Sequence, residues 1–362
     1  MKVLQILPRV PPAVCGIGDY AWRLAQALRD DHDIHSNFLA AGTNWTQPKG
    51  ETEFPVFRLP ELTSQALVSF VASQVDESQA VVLHMSPYGY QKRAVPFWLA
   101  AGWRRLAQLP RRPRLITMFH ELYAAGPPTS SAFWLQPLQK WVLREVARAS
   151  DALRTNREDY AAWLQRVSRP DTQVVVMPVF SNFGEPSVQP AWTEREPSMV
   201  LFAWGIHSGE SLGSVVRKAA VCGRRFNLKR MHLIGCKQTV DEAGLGLEVV
   251  RHGFMEPAAV SALLSSCRMA YTAYSAEHFG KSTLMAAFAA HGLLVITQGR
   301  MTELPDGLKD GCNVLNESSL AAWHAVDADR LQNIATALRQ WYDGHSVTEN
   351  ARSYAGQIRG LM

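Results

Sequence analysis

Two rhythms of apolar positions alternate along the chain. Short runs rich in Val, Ile and Leu are followed by longer stretches in which apolar residues recur three and four apart. In the first half the short runs fall at 3–7 (VLQIL), 35–40, 80–84 (AVVLH), 114–119 (RLITMF), 150–155 and 173–177 (QVVVM). Amphipathic stretches fall between them, from about Asp19 (DYAWRLAQALRD) and at 62–75, 94–108, 131–148 and 157–166. Buried strands alternating with helices predict a parallel sheet covered on both faces.

The stretch 181–198, SNFGEPSVQPAWTEREPS, breaks this rhythm with Pro and polar residues and predicts an interdomain linker. A second set of strands follows at 199–205, 231–235, 247–253, 269–274 and 293–298, with helices at 209–222, 238–243, 256–266, 281–291 and 318–325. Two last helices fit 327–341 and 346–360. The expected fold class is therefore α/β, with two doubly wound Rossmann-like domains facing a central cleft. The expected boundaries are 1–183 for the first domain, 184–198 for the linker, 199–330 for the second domain and 331–362 for C-terminal helices. Ligands of such sheets bind outside the carboxyl ends of the strands, so the chemistry is sought in loops that follow strands.

Composition adds little to this picture. At 47% hydrophobic and 19% charged, the chain of 362 residues has an ordinary globular balance and no apolar run long enough to span a bilayer. The opening MKVLQILPRVPP is too short in its apolar part for a signal peptide, so a cytoplasmic protein is expected. The five cysteines are scattered, with neither a disulfide framework nor metal spacing. Charge is uneven. Residues 1–182 hold 20 Lys and Arg against 15 Asp and Glu, a net of +5, while the rest hold 17 of each. A basic first half suits an anionic membrane or substrate, and equally a solvated basic face. No aromatic sheet motif or basic recognition helix accompanies it, so nucleic acid is not an expected partner.

Several loops carry candidate chemistry. The first strand–helix loop ends Cys15-Gly16-Ile17-Gly18-Asp19, where two glycines permit close backbone approach to an anion, or a tight turn with Asp19 as N-cap. His120 follows RLITMF and can donate to a sugar hydroxyl or act as a base. His84 ends AVVLH and precedes a loop with Tyr88 and Tyr90, candidates to touch an acceptor. Trp and basic residues in AFWLQPLQKWVLREVARAS fit a membrane-surface helix or a helix with Trp in the core. The segment EHFGKST resembles the tail of a phosphate loop, but the glycine that such a loop needs falls on Ser275. A helix N-terminus at Gly280-Lys281-Ser282 can still hold phosphate.

These residues together resemble the retaining nucleotide-sugar glycosyltransferases of the GT-B fold, especially family 4. The resemblance rests on GIGDY, TMFHEL, FAWG, MHLIG, VVRHGFMEPAAVSALLSSC and above all YSAEHFGKSTLMAAFAAHGLLVIT. In that last segment Ser275, Glu277, Phe279, Gly280, Ala286, Ala290, Gly292, Val295 and Ile296 match the family pattern. The resemblance implies transfer of a sugar, with retention and without a bound metal or other cofactor, from a nucleoside diphosphate sugar. The acceptor would be a carbohydrate or lipid-linked molecule in glycan, polysaccharide or glycolipid synthesis; the Trp and basic residues of AFWLQPLQKWVLREVARAS, if at the inner membrane face, would reach a lipid-linked one. It implies His120 and Glu277 as the catalytic residues, Glu277 binding donor-sugar hydroxyls. Gly16, Gly18, Phe279, Gly280, Lys281 and Ser282 would lie at the donor, and the last helix would return to the first domain. Two departures stand out. Met285 occupies the position of a ribose-binding glutamate, and the basic pair expected after the first strand of the second domain is missing, with His207 the nearest candidate. They leave open a non-catalytic GT-B-like binding or scaffold subunit. A sugar-nucleotide epimerase is a further alternative.

Overall fold

The computed structural model describes residues 1–361 except 44, 46–49, 75–78, 204–209, 237–239, 275, 299–303 and 323–326. The chain divides into two compact units, Met1–Pro178 with Val347–Met362, and Val179–Ser346.

The first unit is built on a seven-stranded sheet. Its strands are β1 (Lys2–Leu7), β2 (His35–Ala40), β3 (Val56–Arg58), β4 (Ala80–Met85), β5 (Arg114–Phe119), β6 (Ala152–Thr155) and β7 (Gln173–Val176), in the order β3-β2-β1-β4-β5-β6-β7. Every pairing is parallel, with Val3 opposite Ser36 on one side and Ala80 on the other. Strand order reverses between β1 and β4, which makes the loops after these two strands the expected ligand position. Successive side chains point to opposite faces. Leu4, Ile6, Val81, Leu83 and Leu115 pack on one face under α2 (Ser64–Ser73), α4 (Phe97–Ala107) and α5 (Ser131–Ala149). On the other face Phe38 and Ala40 pack with Ala21 and Ala25 of α1 (Gly16–His32). The short helix α3 (Pro87–Tyr90) follows β4, and α6 (Glu158–Val167) connects β6 to β7.

The second unit has a six-stranded sheet of β8 (Glu196–Phe202), β9 (Arg230–Ile234), β10 (Glu248–His252), β11 (Cys267–Thr272), β12 (Leu294–Thr297) and β13 (Leu315–Asn316). The order is β10-β9-β8-β11-β12-β13, again all parallel, and it reverses between β8 and β11. Its helices are α7 (Leu212–Arg225), α8 (Pro257–Ser266), α9 (Thr283–Ala290) and α10 (Ala328–Asp343). Leu331, Ile334 and Ala335 of α10 enter this unit's core. The last helix, α11 (Val347–Arg359), belongs to the first unit instead. There Asn350 accepts from the Tyr20 hydroxyl at 3.2 Å, and Arg359 donates to the His32 carbonyl at 2.8 Å.

Several elements differ from the sequence expectation. The stretch 184–198 is folded onto the second unit. Gln189 donates to the Ala290 carbonyl at 2.8 Å, Arg195 donates to the Cys267 carbonyl at 3.1 Å, and β8 already begins at Glu196. Polar and Pro-rich composition marked an irregular path, and the path is tied down by side-chain bonds to main-chain carbonyls. The helix expected at 238–243 is not formed at 240–243; Gly244 and Gly246, both at positive φ, turn the chain there. Of the helix expected at 318–325, residues 318–322 lie instead in a 3₁₀ turn, Glu317–Ala322, and 323–325 lie outside the described residues. The edge strands β3 and β13, with three and two residues, are too short to leave a periodic signal.

Candidate functional site

The loops after β1 and β4, and the end of β5, bring one group of candidates together in the first unit. α1 starts at Gly16, with Cys15 at its N-cap and no side chain capping it. Asp19 therefore sits in the first turn and not at the cap. A Cβ on Gly18 would stand 2.6 Å from the Arg9 carbonyl oxygen, so this glycine lets the helix close against the loop. A Cβ on Gly16 would meet nothing within 4 Å, and the exposed Gly16 is the glycine at which a ligand can approach the backbone.

His120 directly follows β5 and is 6% exposed. Its ring nitrogen Nε2 lies 3.0 Å from Nδ1 of His84, and Nε2 of His84 lies 2.8 Å from Oε1 of Gln5. Tyr20 of α1 packs edge-on against both imidazoles, with centroids 6.0 Å from His84 and 5.1 Å from His120. Asn156 donates to the His120 carbonyl at 3.3 Å, and the His120 amide donates to Met85 at 3.0 Å. Burial pushes the His120 imidazole down to about 3, and burial together with the neighbouring His120 holds His84 well below the usual range. Both rings are neutral at physiological pH.

The acceptor candidates separate. Tyr88 is 47% exposed. His84 and Tyr90 are both fully buried, at 0%. The Tyr90 hydroxyl is spent on the carbonyls of His84 at 2.9 Å and Ile6 at 3.2 Å. His84 has both ring nitrogens engaged. These two side chains hold the site's wall and do not reach an acceptor, a correction that follows for His84 from burial of β4 on both faces and for Tyr90 from its place at the inward end of α3.

In the second unit the segment after β11 forms a 3₁₀ turn, Ala276–Lys281, before α9. Phe279 is buried at 1%, and the Gly280 carbonyl accepts from the Val179 amide at 2.9 Å. Both anchor the turn. Glu277 keeps its side chain 57% exposed beside His278, and Lys281 is half-buried at the turn's end. Ser282 is the N-cap of α9, its hydroxyl accepting from the Met285 amide at 3.2 Å, while its own amide donates to Phe279 at 3.0 Å. Thr283 and Leu284 supply the next two amides at the start of α9, where a helix lacks intrahelical carbonyls and can hold an anion. Met285 is buried at 1% and presents no polar atom where the family resemblance implies a carboxylate. His207 and Ser275 lie outside the described residues. Among the described residues no group of three His, Cys, Asp or Glu could hold a metal ion.

Sequence reading missed Gln5, Tyr20 and Asn156. Gln5 had a visible signal, since a polar residue inside VLQIL must find a buried partner if the strand is covered on both faces.

Solved structures with the same architecture cover the whole chain. One is TarM, with a TM-score of 0.66 and 8% identity over 99% of this chain and 98% of that one. The fold is that of the GT-B glycosyltransferases. A second is an α-glucosyltransferase in complex with UDP and a 13-mer DNA containing an HMU base, with a TM-score of 0.57 and 10% identity over 99% of each chain. A third is assigned as a UDP-N-acetylglucosamine 2-epimerase from Listeria monocytogenes, with a TM-score of 0.61 and 14% identity over 99% of this chain and 96% of that one. No family model matches the sequence, and no curated protein matches it either. The GT-B fold thus carries both transferases and an epimerase, and a shared fold does not fix a reaction. No helix among the described residues is long and apolar enough to cross a membrane.

Proposed function

We propose that the chain is a glycosyltransferase that moves a sugar from a nucleoside diphosphate sugar to an acceptor, with retention and without a bound metal. The observation that carries this reading is the turn Ala276–Lys281 at the β8/β11 switch point, with exposed Glu277 and half-buried Lys281 ahead of α9. Glu277 would bind hydroxyls of the donor sugar. Lys281 and the first amides of α9 would balance charge growing on the departing diphosphate. Within the first unit, Gly16 and neutral His120 are the candidates to contact a ligand. A screen of nucleotide sugars that follows nucleotide release tests the reading, with Glu277→Ala and Lys281→Ala as controls. Each variant is expected to lose most of the turnover, and near wild-type turnover in both sinks the assignment.

A second reading is a GT-B-like subunit that binds or scaffolds without catalysis. Buried Met285 favours it, since a lost carboxylate–diol contact costs about 1.5–3 kcal/mol of nucleotide affinity. Calorimetry with the same donors separates the two, because tight binding by none supports the scaffold. Donor conversion without any acceptor would instead indicate an epimerase.

The acceptor is proposed to be lipid-linked and met at an anionic membrane face. Phe97, Phe133, Trp134, Leu138 and Trp141 are exposed at the start of α4 and along α5. Residues 92–148 carry 10 Lys and Arg against 2 acids. Exposed aromatics within a basic stretch suit the headgroup region. Flotation with vesicles containing anionic lipid should capture the protein at low salt, and Trp134→Ser with Trp141→Ser should abolish capture. Wild type that stays unbound removes the membrane from the proposal.

A further inference from the structure

Four polar side chains cross the buried α1 face of the first sheet. Gln5 on β1 donates through Nε2 to the Ser36 hydroxyl on β2 at 2.8 Å. Its Oε1 lies 2.8 Å from Nε2 of His84 on β4, and Nδ1 of His84 lies 3.0 Å from Nε2 of His120. Ser36, Gln5 and His84 are at most 1% exposed.

This line has a direction. With the Gln5 amide oriented so that Nε2 faces Ser36 and Oε1 faces His84, the oxygen only accepts, and Nε2 of His84 carries its proton. A neutral imidazole has one N–H, so Nδ1 of His84 accepts. Nε2 of His120 is then the donor, and Nδ1 of His120 keeps its lone pair. We infer that Gln5 and His84 are positioning residues that fix His120 as its Nε2–H tautomer, so that its ring meets a sugar ligand as a hydrogen-bond acceptor for a hydroxyl. The ligand half rests on the proposed function, whereas the tautomer does not. The low proton affinity that burial gives both rings agrees with neutral imidazoles at every pH at which such an enzyme would work. The expectation that His120 donates to a hydroxyl is thereby reversed. The donor N–H is used inside the protein, and only the opposite nitrogen is left.

The tautomer is read on ligand-free protein by long-range proton–nitrogen correlation of ¹⁵N-labelled histidine at pH 7. The expected spectrum assigns the proton of His120 to Nε2, slowly exchanging, with Nδ1 at an unprotonated shift. A His120 proton on Nδ1 overturns the inference, and wild type alone suffices for this outcome. His84→Leu removes the acceptor and should speed exchange of the His120 proton at least tenfold. His84→Gln supplies an amide oxygen and should restore its protection. Unchanged exchange in His84→Leu shows that the rings are not coupled and also overturns the inference. For the ligand half, a nucleotide sugar that binds by calorimetry should move the Nδ1 resonance of His120. Binding with no such movement overturns that half. A panel in which no nucleotide sugar binds overturns it together with the functional reading, while the ligand-free tautomer still stands or falls on its own spectrum.

Discussion

The guanidinium of Arg154 lies 3.8 Å from the ring centre of Tyr354, which joins β6 to α11 within the first unit. Arg154 is 1% exposed, and its Nη1 donates to Ser353 Oγ at 3.0 Å and Gln357 Oε1 at 2.9 Å. The charge is thus held by an aromatic face and neutral acceptors contributed by the last helix. Such a cation is costly to leave short of a partner.

Removing one acceptor should therefore hurt more than removing the whole arrangement. Gln357→Leu is expected to cost about 2–3 kcal/mol in a urea melt, because it strands part of a buried charge. Adding Arg154→Met should recover a measurable part of that loss, as apolar replacement of buried ionic groups often does. A double variant no more stable than Gln357→Leu alone would refute this account of how α11 is held.

The two glycines in the first turn of α1 should respond in opposite ways. Gly18→Ala puts a Cβ against the Arg9 carbonyl at 2.6 Å and must push the loop from the helix, so it should cost stability by about 1–3 kcal/mol. Gly16→Ala meets no atom and improves the first helical turn, so it should stabilise by roughly 0.5 kcal/mol. If a ligand approaches Gly16, the same change should depress donor turnover while Tm rises. Unaltered kinetics in Gly16→Ala would remove Gly16 from the binding surface.

These cases mark what a sequence can carry. Alternation of short buried runs and amphipathic stretches was sufficient for both parallel sheets, because burial on both faces is written into each strand separately. The glycine loop and the turn at Glu277 were legible for the same local reason. Roles decided across strands were not. His84 reads as a loop-edge residue, and only its position beside Gln5 and His120 on neighbouring strands reveals a wholly buried ring. The Pro-rich stretch 184–198 likewise reads as free chain, since its anchors at Ala290 and Cys267 lie far along the sequence.

Acid should act through Asp151. This carboxylate accepts from Arg112 Nη2 at 2.9 Å and from the Leu115 amide at 2.8 Å. Burial raises its proton affinity, but the Arg112 bonds, the Leu115 amide and the charge of Arg169 outweigh that and leave it below the usual range. A depressed carboxylate contributes stability that is present above its unfolded value and lost as pH falls through the folded one. Asp151→Asn is expected to cost about 1–2 kcal/mol near neutral pH. Wild type and variant should converge only once pH has fallen below the folded value, where the carboxylate is protonated in both states. A gap that persists unchanged into acid would show that shape, and not charge, makes the contact.

Asp19 should show the opposite sign. It sits half-buried in the first turn of α1, where the helix dipole favours an acid, yet burial lifts it from 3.8 to about 6 against the opposing charge of Arg23. Below 3.8 the group is protonated in folded and unfolded chains alike and contributes no pH dependence. Between that value and about 6 the unfolded chain ionises first, so stability falls as pH rises, and above about 6 the loss is constant. Solvent at this half-buried position screens the effect to a fraction of its ideal size. Asp19→Asn should therefore match wild type only well below pH 3.8 and melt higher than wild type at pH 7.5. A variant that melts lower at pH 7.5 would mean that the Asp19 charge is favourable to the fold, with the helix dipole and Arg23 outweighing burial.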